Sequence, residues 1–123
     1  MRTVLRTAVL ALLLAAIVAA PAAAAKVKRG DVLVVRATAF NDSGLTYSGV
    51  PTGPGICAVD PTVIPLGSRF RVQHYGVCLA ADIGGAIKGR AIDVWFRSDA
   101  RVYRWGVRRV KITILCVRCR AGA

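Results

Sequence analysis

Residues 79–96 read LAADIGGAIKGRAIDVWF, and this stretch decides how the chain is interpreted. An apolar run over 77–81 ends at Asp82, two glycines and a basic turn follow, and a second apolar run over 91–96 contains Asp93. Short apolar runs bounded by glycine are typical of buried strands. The stretch therefore predicts two strands joined by a turn, with one aspartate on each.

Outward from this stretch, short strands are predicted at 31–40, 56–59, 69–74 and 107–117. One short helix is predicted at 99–105, with Ser98 as its N-cap and Gly106 ending it. The segment 41–55 is rich in glycine and proline and has no periodicity, so it is predicted to be a loop. Six closely spaced short strands favour a mainly β fold, a small closed six-stranded barrel, over alternating strands and helices.

Residues 1–25 have the layout of a secretory signal peptide. Arg2 and Arg6 give a positive start, an unbroken apolar run covers 9–20, and small residues lead to a cleavage point near Ala25. The alternative is an uncleaved membrane anchor, although the run is only marginally long enough to span a bilayer. We therefore expect one exported domain over 26–123, secreted or held in the periplasm or cell wall, with membrane contact only through an uncleaved leader.

The charge of the chain is strongly unbalanced. Eighteen Lys and Arg residues face six acidic residues, all of them Asp, and the formal net charge is +12. Such a charge implies an anionic neighbour. For an exported protein we expect anionic polymers of the cell envelope, lipid headgroups or lipopolysaccharide, and we do not expect nucleic acid.

Four cysteines, Cys57, Cys78, Cys116 and Cys119, are predicted to form disulfides, because the chain is small and exported. Three pairings are possible. We favour Cys57–Cys78, since each precedes an aspartate at a strand end by a few residues, and then Cys116–Cys119. A zinc site is the competing interpretation, weakened by the lack of a second C-x-x-C, and a redox role is weaker still. We expect neither a metal nor a cofactor.

Several motifs occur along the chain in a family-specific order. They are ATAF at 37–40, AVDP at 58–61, IPLGS at 64–68, ADIGGAIKG at 81–89, IDVWF at 92–96 and WGVR at 105–108. Together they resemble the 3D domain, which is named for three aspartates and occurs in MltA-type lytic transglycosylases and in small stationary-phase cell-wall proteins.

The resemblance implies a double-psi β-barrel and a defined chemistry. Family members of the MltA type cleave peptidoglycan glycan strands between N-acetylmuramic acid and N-acetylglucosamine, leaving a 1,6-anhydromuramic end. The third aspartate of the family is its acid/base, which carries over to Asp93, while Asp60 and Asp82 carry over as supporting site residues. The runner-up function is a noncatalytic domain that binds peptidoglycan or another polysaccharide.

Such an acid must stay protonated near neutral pH, so its pKa has to be raised by apolar burial or by nearby negative charge. The apolar neighbours of Asp93 offer burial, and Asp60 and Asp82 offer charge if the barrel brings them close. The candidate substrate-binding residues are Lys88, Gly84, Gly85, Thr46 and Ser48. The plainer alternatives are that Asp60 and Asp82 are turn residues and that Lys88 is a solvated turn lysine.

Overall fold

The computed structural model describes residues 15–18 and 26–120, so most of the predicted signal peptide lies outside the described residues. Six strands and one helix follow in chain order: β1 Val32–Phe40, β2 Ile56–Val59, β3 Arg69–Val72, β4 Gly76–Asp82, β5 Ala91–Trp95, α1 Asp99–Trp105 and β6 Arg108–Cys116. All six strands and the helix were predicted from the sequence, with ends that agree within two residues.

The six strands close into a barrel in the order β1-β5-β2-β4-β3-β6, which confirms the predicted fold class. The pairs β1–β5 and β2–β4 are parallel, and the other four pairs are antiparallel. Strands that are adjacent in the barrel are therefore mostly distant in sequence. Residues at the ends of β1, β4 and β5 can for this reason meet on one side of the barrel.

Alternation of side chains along the strands builds the core. In β1 the side chains of Leu33, Val35 and Ala37 are buried, while those between them point to solvent. In β6 the buried positions again alternate with polar ones. A strand with one buried face shows this period of two because successive side chains point to opposite faces.

One predicted strand end was wrong. The strand 69–74 stops at Val72, because His74 has φ +67° and turns the chain back so that Val72 pairs with Gly76. A positive φ is not compatible with an extended strand. The turn therefore exposes His74 at one end of the barrel.

The helix closes one side of the barrel with an aromatic side chain. Oγ of Ser98 accepts a hydrogen bond from the backbone N–H of Arg101, and Gly106 ends the helix at φ 62°, as predicted. Trp105 is buried, and its Nε1 donates to the carbonyl of Ala37 at 3.2 Å. The indole thereby ties α1 to β1.

Both predicted disulfides are present, Cys57–Cys78 and Cys116–Cys119, with Cα–Cα distances of 5.7 Å and 5.6 Å. The first joins β2 to β4 inside the core, because both cysteines are fully buried. The second closes the end of β6. Within residues 15–18 and 26–120, no helix has the length and apolar character needed to cross a bilayer.

Candidate active site

An open cleft of about 370 Å³ lies outside the barrel, over the ends of β1, β4 and β5. The loop that follows β1 forms one wall, and the glycine turn that follows β4 forms another. Ala58 on β2 lies at its floor and pairs directly with Asp93 on β5. A methyl side chain at this position leaves room that a larger residue would fill.

Asp93 lines this cleft and is half-buried. Its neighbours in β5, Ile92 and Val94, point into the core, so Asp93 points out of the barrel toward the cleft. Burial raises the pKa of the Asp93 carboxyl, and the negative charges of Asp42 and Asp82 raise it further. A hydrogen bond from Thr38 acts in the opposite direction and lowers the pKa.

Asp82 ends β4 and lines the same cleft. Its Oδ1 accepts two backbone hydrogen bonds, from Ile83 at 2.9 Å and from Tyr47 at 3.0 Å. The first is the local turn contact that the sequence allowed as an alternative. The second fixes the loop after β1 against the cleft. Asp82 therefore shapes the cleft wall and also places negative charge near Asp93.

Asp42 is the residue that sequence reasoning missed. It lines the cleft, and its charge raises the pKa of Asp93. The backbone carbonyl of Asp42 also accepts a hydrogen bond from Nε1 of Trp95 at 3.0 Å, which anchors the loop to β5. The sequence offered one indication of Asp42: it is an acidic residue two positions after Phe40, where the predicted strand ends.

Asp60 is not among the residues lining the cleft. Its Oδ1 accepts hydrogen bonds from the N–H and the hydroxyl of Thr62, at 3.0 Å and 2.7 Å, and its Oδ2 accepts one from the N–H of Gly89 at 2.7 Å. These bonds, that of Gly89 first, hold the pKa of Asp60 below its ordinary value, and the nearby charge of Lys88 adds to this. The charges that act on Asp93 come from Asp42 and Asp82, so the expected contribution of Asp60 to that field is replaced by Asp42.

The predicted substrate-binding residues divide into two groups. Gly84 lines the cleft, and a Cβ added there would come within 3.0 Å of Ile87. Gly85 and Lys88 are exposed on the same turn without lining the cleft. Space around Gly85 is open, since no heavy atom lies within 4 Å of where its Cβ would be.

Thr46 and Ser48 hold the loop rather than face the cleft. The Thr46 hydroxyl donates to the carbonyl of Val50 at 2.7 Å, and the Ser48 hydroxyl donates to the carbonyl of Ala81 at 2.6 Å. Thr46 is buried. Both hydroxyl hydrogens are thus used within the protein, and the two residues position the wall that carries Asp42. No group of three His, Cys, Asp or Glu side chains within residues 15–18 and 26–120 is arranged to hold a metal ion.

Comparison with known proteins agrees with the resemblance read from the motifs. The model of the 3D domain matches residues 56–116, which include Asp60, Asp82 and Asp93. The chain therefore belongs to the 3D domain family.

Two curated relatives from Bacillus subtilis (strain 168) are named for the cell wall. YabE, named for cell wall shaping, is 47% identical over 95 residues, covering 70% of this chain and 23% of that protein. The cell wall-binding protein YocH is 46% identical over 92 residues, covering 68% of this chain and 32% of that protein. The chain thus spans about a quarter to a third of the length of these relatives.

The barrel is also similar to a solved structure of an enzyme. The crystal structure of MltA from E. coli with bound chitohexaose matches with a TM-score of 0.53 and 21% identity, covering 63% of this chain and 29% of MltA. At this identity the match establishes a shared fold. The chain is a 3D domain with an MltA-like barrel.

Proposed function

We propose that this chain is an exported lytic transglycosylase that cleaves peptidoglycan glycan strands, with Asp93 as its single acid/base. One observation carries the proposal: a half-buried carboxyl with a raised pKa faces an open cleft and is flanked there by two further carboxylates. Perturbed carboxyls in clefts are the usual mark of acid/base sites. In an ordinary structural role, Asp93 would be paired with a cation or lie in solvent.

The chemistry needs one proton to be handled twice. Protonated Asp93 gives its proton to the glycosidic oxygen as the C1–O bond of the muramic residue breaks. The Asp93 carboxylate then takes the proton of the C6 hydroxyl of the same residue as that oxygen bonds to C1. The product is a 1,6-anhydromuramic end, and the acid is regenerated without consuming water.

The neighbouring carboxylates fit both halves of this cycle. Negative charge at Asp42 and Asp82 favours the protonated form of Asp93 before cleavage. The same charge stabilises the positive charge that develops on the sugar in an oxocarbenium-like transition state. The phenyl ring of Phe40 at the cleft wall offers a flat apolar surface against which a sugar ring packs.

The second candidate is a noncatalytic domain that binds the wall. It is favoured by the similarity to YocH, whose name describes cell wall binding. Under this hypothesis the cleft holds a glycan segment without cutting it. The two candidates share a ligand class, peptidoglycan glycan strands, and differ in whether a covalent bond is broken.

Digestion of purified peptidoglycan followed by mass spectrometry separates the two. The wild-type protein should release fragments with 1,6-anhydromuramic ends. Asp93→Asn keeps the shape of the side chain and removes the proton, so it should release none while still binding peptidoglycan. Asp31→Asn, which lies at the opposite end of β1 from the cleft, is the matched control and should cleave like the wild type.

The products of digestion distinguish three functions. Reducing muramic ends, in place of 1,6-anhydromuramic ends, would show a hydrolase that activates water, and binding without any product would support the noncatalytic domain. A further variant, Ala58→Leu, fills the cleft floor without changing charge. Ala58→Leu should abolish both binding and cleavage. If a folded Ala58→Leu protein still binds glycan normally, the ligand lies elsewhere and the choice of cleft is wrong.

A further inference from the structure

A second charged surface lies on β3, on β6 and on residues 32–36 of β1. In the closed order β3, β6 and β1 are consecutive and form one arc of the barrel, of which only the last part of β1, at Phe40, reaches the cleft. The outward positions of this arc carry five exposed cations: Arg36, Arg69, Arg71, Arg109 and Lys111. We call this set the basic face.

The register of the strands indicates that the basic face lowers the stability of the fold. Arg36 on β1 pairs directly with Arg109 on β6, and both side chains are exposed. Like charges at directly paired positions of antiparallel strands are destabilising. None of the six aspartates occupies an outward position on these three strands, so no carboxylate of the arc offsets the repulsion.

A shallow groove of about 550 Å³ lies over β3 and β6, beside the turn that joins β3 to β4. Two cations of the basic face, Arg71 and Lys111, line it together with Thr113 and with His74, which has a positive φ. Three neighbouring strands span about 10 Å from first to last. Cations spread over that width would contact several anionic groups of one extended ligand rather than a single small ion.

We propose that the basic face binds a linear polymer of phosphodiester groups in the cell envelope. Four of its five cations are arginines, whose planar guanidinium groups form paired hydrogen bonds to phosphate oxygens. A lipid surface fits less well. The exposed apolar residues on this arc are Val32 and Val34 near one end of β1, and binding at a membrane interface requires a larger apolar surface.

The cleft and the basic face would thus have separate tasks. The acidic cleft would repel a polyanion, and the basic face would attract it over a distance of about 10 Å at moderate salt. Since Asp93 takes no part, the basic face would bind its polymer whether or not the cleft is catalytic.

Binding of fluorescently labelled poly(glycerol phosphate) tests the proposal directly. The variant Arg36→Gln/Arg109→Gln/Lys111→Gln removes three charges from the basic face. The control Arg97→Gln/Arg101→Gln/Arg104→Gln removes three exposed charges from α1 and the residue before its N-cap. The first variant should weaken binding by about tenfold or more and flatten its salt dependence, and the control by less than about threefold.

Thermal unfolding tests whether the first variant loses polymer binding only because its fold is destabilised. Because the first variant removes the Arg36–Arg109 repulsion, its unfolding midpoint should equal or exceed that of the wild type. Equal losses in both variants would show attraction by net charge alone and overturn the site. Equally tight binding of polyglutamate would overturn the phosphate assignment. Tighter binding to phosphatidylcholine vesicles containing phosphatidylglycerol than to the polymer would favour a membrane instead.

Discussion

The hydroxyl of Thr38 donates a hydrogen bond to Oδ1 of Asp93 at 3.0 Å. The two residues are register partners in the parallel pair of β1 and β5, so the contact is set by the barrel itself. It holds one carboxylate oxygen and leaves Oδ2 with no hydrogen-bond donor among residues 26–120. Thr38 therefore orients the carboxyl so that, in the proposed mechanism, Oδ2 is the oxygen that would carry the transferred proton.

Replacing Thr38 by Val should raise the pKa of Asp93, because the lost hydrogen bond favours the ionised form. The limb of the pH–rate profile that reports ionisation of Asp93 should move to higher pH, and the maximal rate should fall because the carboxyl is less well oriented. Thr38→Ser keeps the hydroxyl and should restore both properties. A Thr38→Val profile that overlays the wild type would show that the contact does not tune the acid.

Neutralising Asp42 should have the opposite effect on the pKa of Asp93. Asp42→Asn removes a negative charge that raises the pKa of Asp93, so the same limb should move to lower pH. Asp82→Asn should act in the same direction. NMR titration of the Asp93 carboxyl, compared with the Asp31→Asn control, would measure the change without relying on turnover. An upward shift in Asp42→Asn would contradict the electrostatic assignment.

Asp60 is expected to matter for stability. Asp60→Asn keeps only one of the two oxygens that accept hydrogen bonds, so the N–H of either Gly89 or Thr62 loses its acceptor, and this loss should cost about 1–3 kcal/mol at neutral pH. The pKa of Asp60 is lower in the folded state than its ordinary value of 3.8, so its contribution is present above that value and is lost as pH falls through the folded pKa. Denaturant unfolding at neutral pH and near pH 3 should therefore show the difference between variant and wild type shrinking in acid.

Gly89 provides a separate test of the turn that donates to Asp60. It has φ +67°, a conformation that alanine adopts only with strain, so Gly89→Ala should also destabilise the fold. Gly85→Ala, where space is open, is the control and should be nearly neutral. Equal stability of the two alanine variants would mean that the turn does not require the positive φ of Gly89.

The two disulfides should respond differently to reductant. Cys57 and Cys78 are 0% exposed, whereas Cys116 and Cys119 are partly exposed near the end of the described chain. Mild reductant should therefore open Cys116–Cys119 first, detected by alkylation and peptide mass mapping. Loss of Cys57–Cys78 in a Cys57→Ala/Cys78→Ala variant should cost about 3 kcal/mol, since that bridge closes a loop of 21 residues. Alkylation of Cys57 and Cys78 before the outer pair would contradict this order.

Local sequence patterns were sufficient for the strands and the helix, while the disulfide pairs were a preference among three possible pairings. Alternation identified β3 and β6, and the Ser98 and Gly106 caps bounded the helix, because these signals depend on residues close together in the chain. His74 was missed as a turn residue because a positive φ is uncommon for any residue other than glycine. Its turn is imposed by the pairing of β3 with β4.

The site was harder to predict because it depends on contacts between distant segments. Asp93 stood out as a charge inside an apolar strand, and Asp82 as the residue that ends the preceding strand in the chain. Asp42 lies in an aperiodic loop, and only folding of that loop against Asp82 and Trp95 brings it to the cleft. Asp60 looked equivalent to Asp82 in sequence, and its three hydrogen bonds to Thr62 and Gly89 could not be foreseen from spacing.

The barrel is closed by its first and last strands. Val32 at the start of β1 pairs with Thr113 near the end of β6, and the N–H of Gly30 donates to the carbonyl of Ile114 at 2.8 Å. The polypeptide thus enters and leaves the barrel at neighbouring points on one rim. A unit with adjoining entry and exit can be joined to other domains without disturbing its interior. This geometry allows the barrel to serve as one domain of a longer chain, in keeping with relatives in which the matching region is 23% or 32% of the protein.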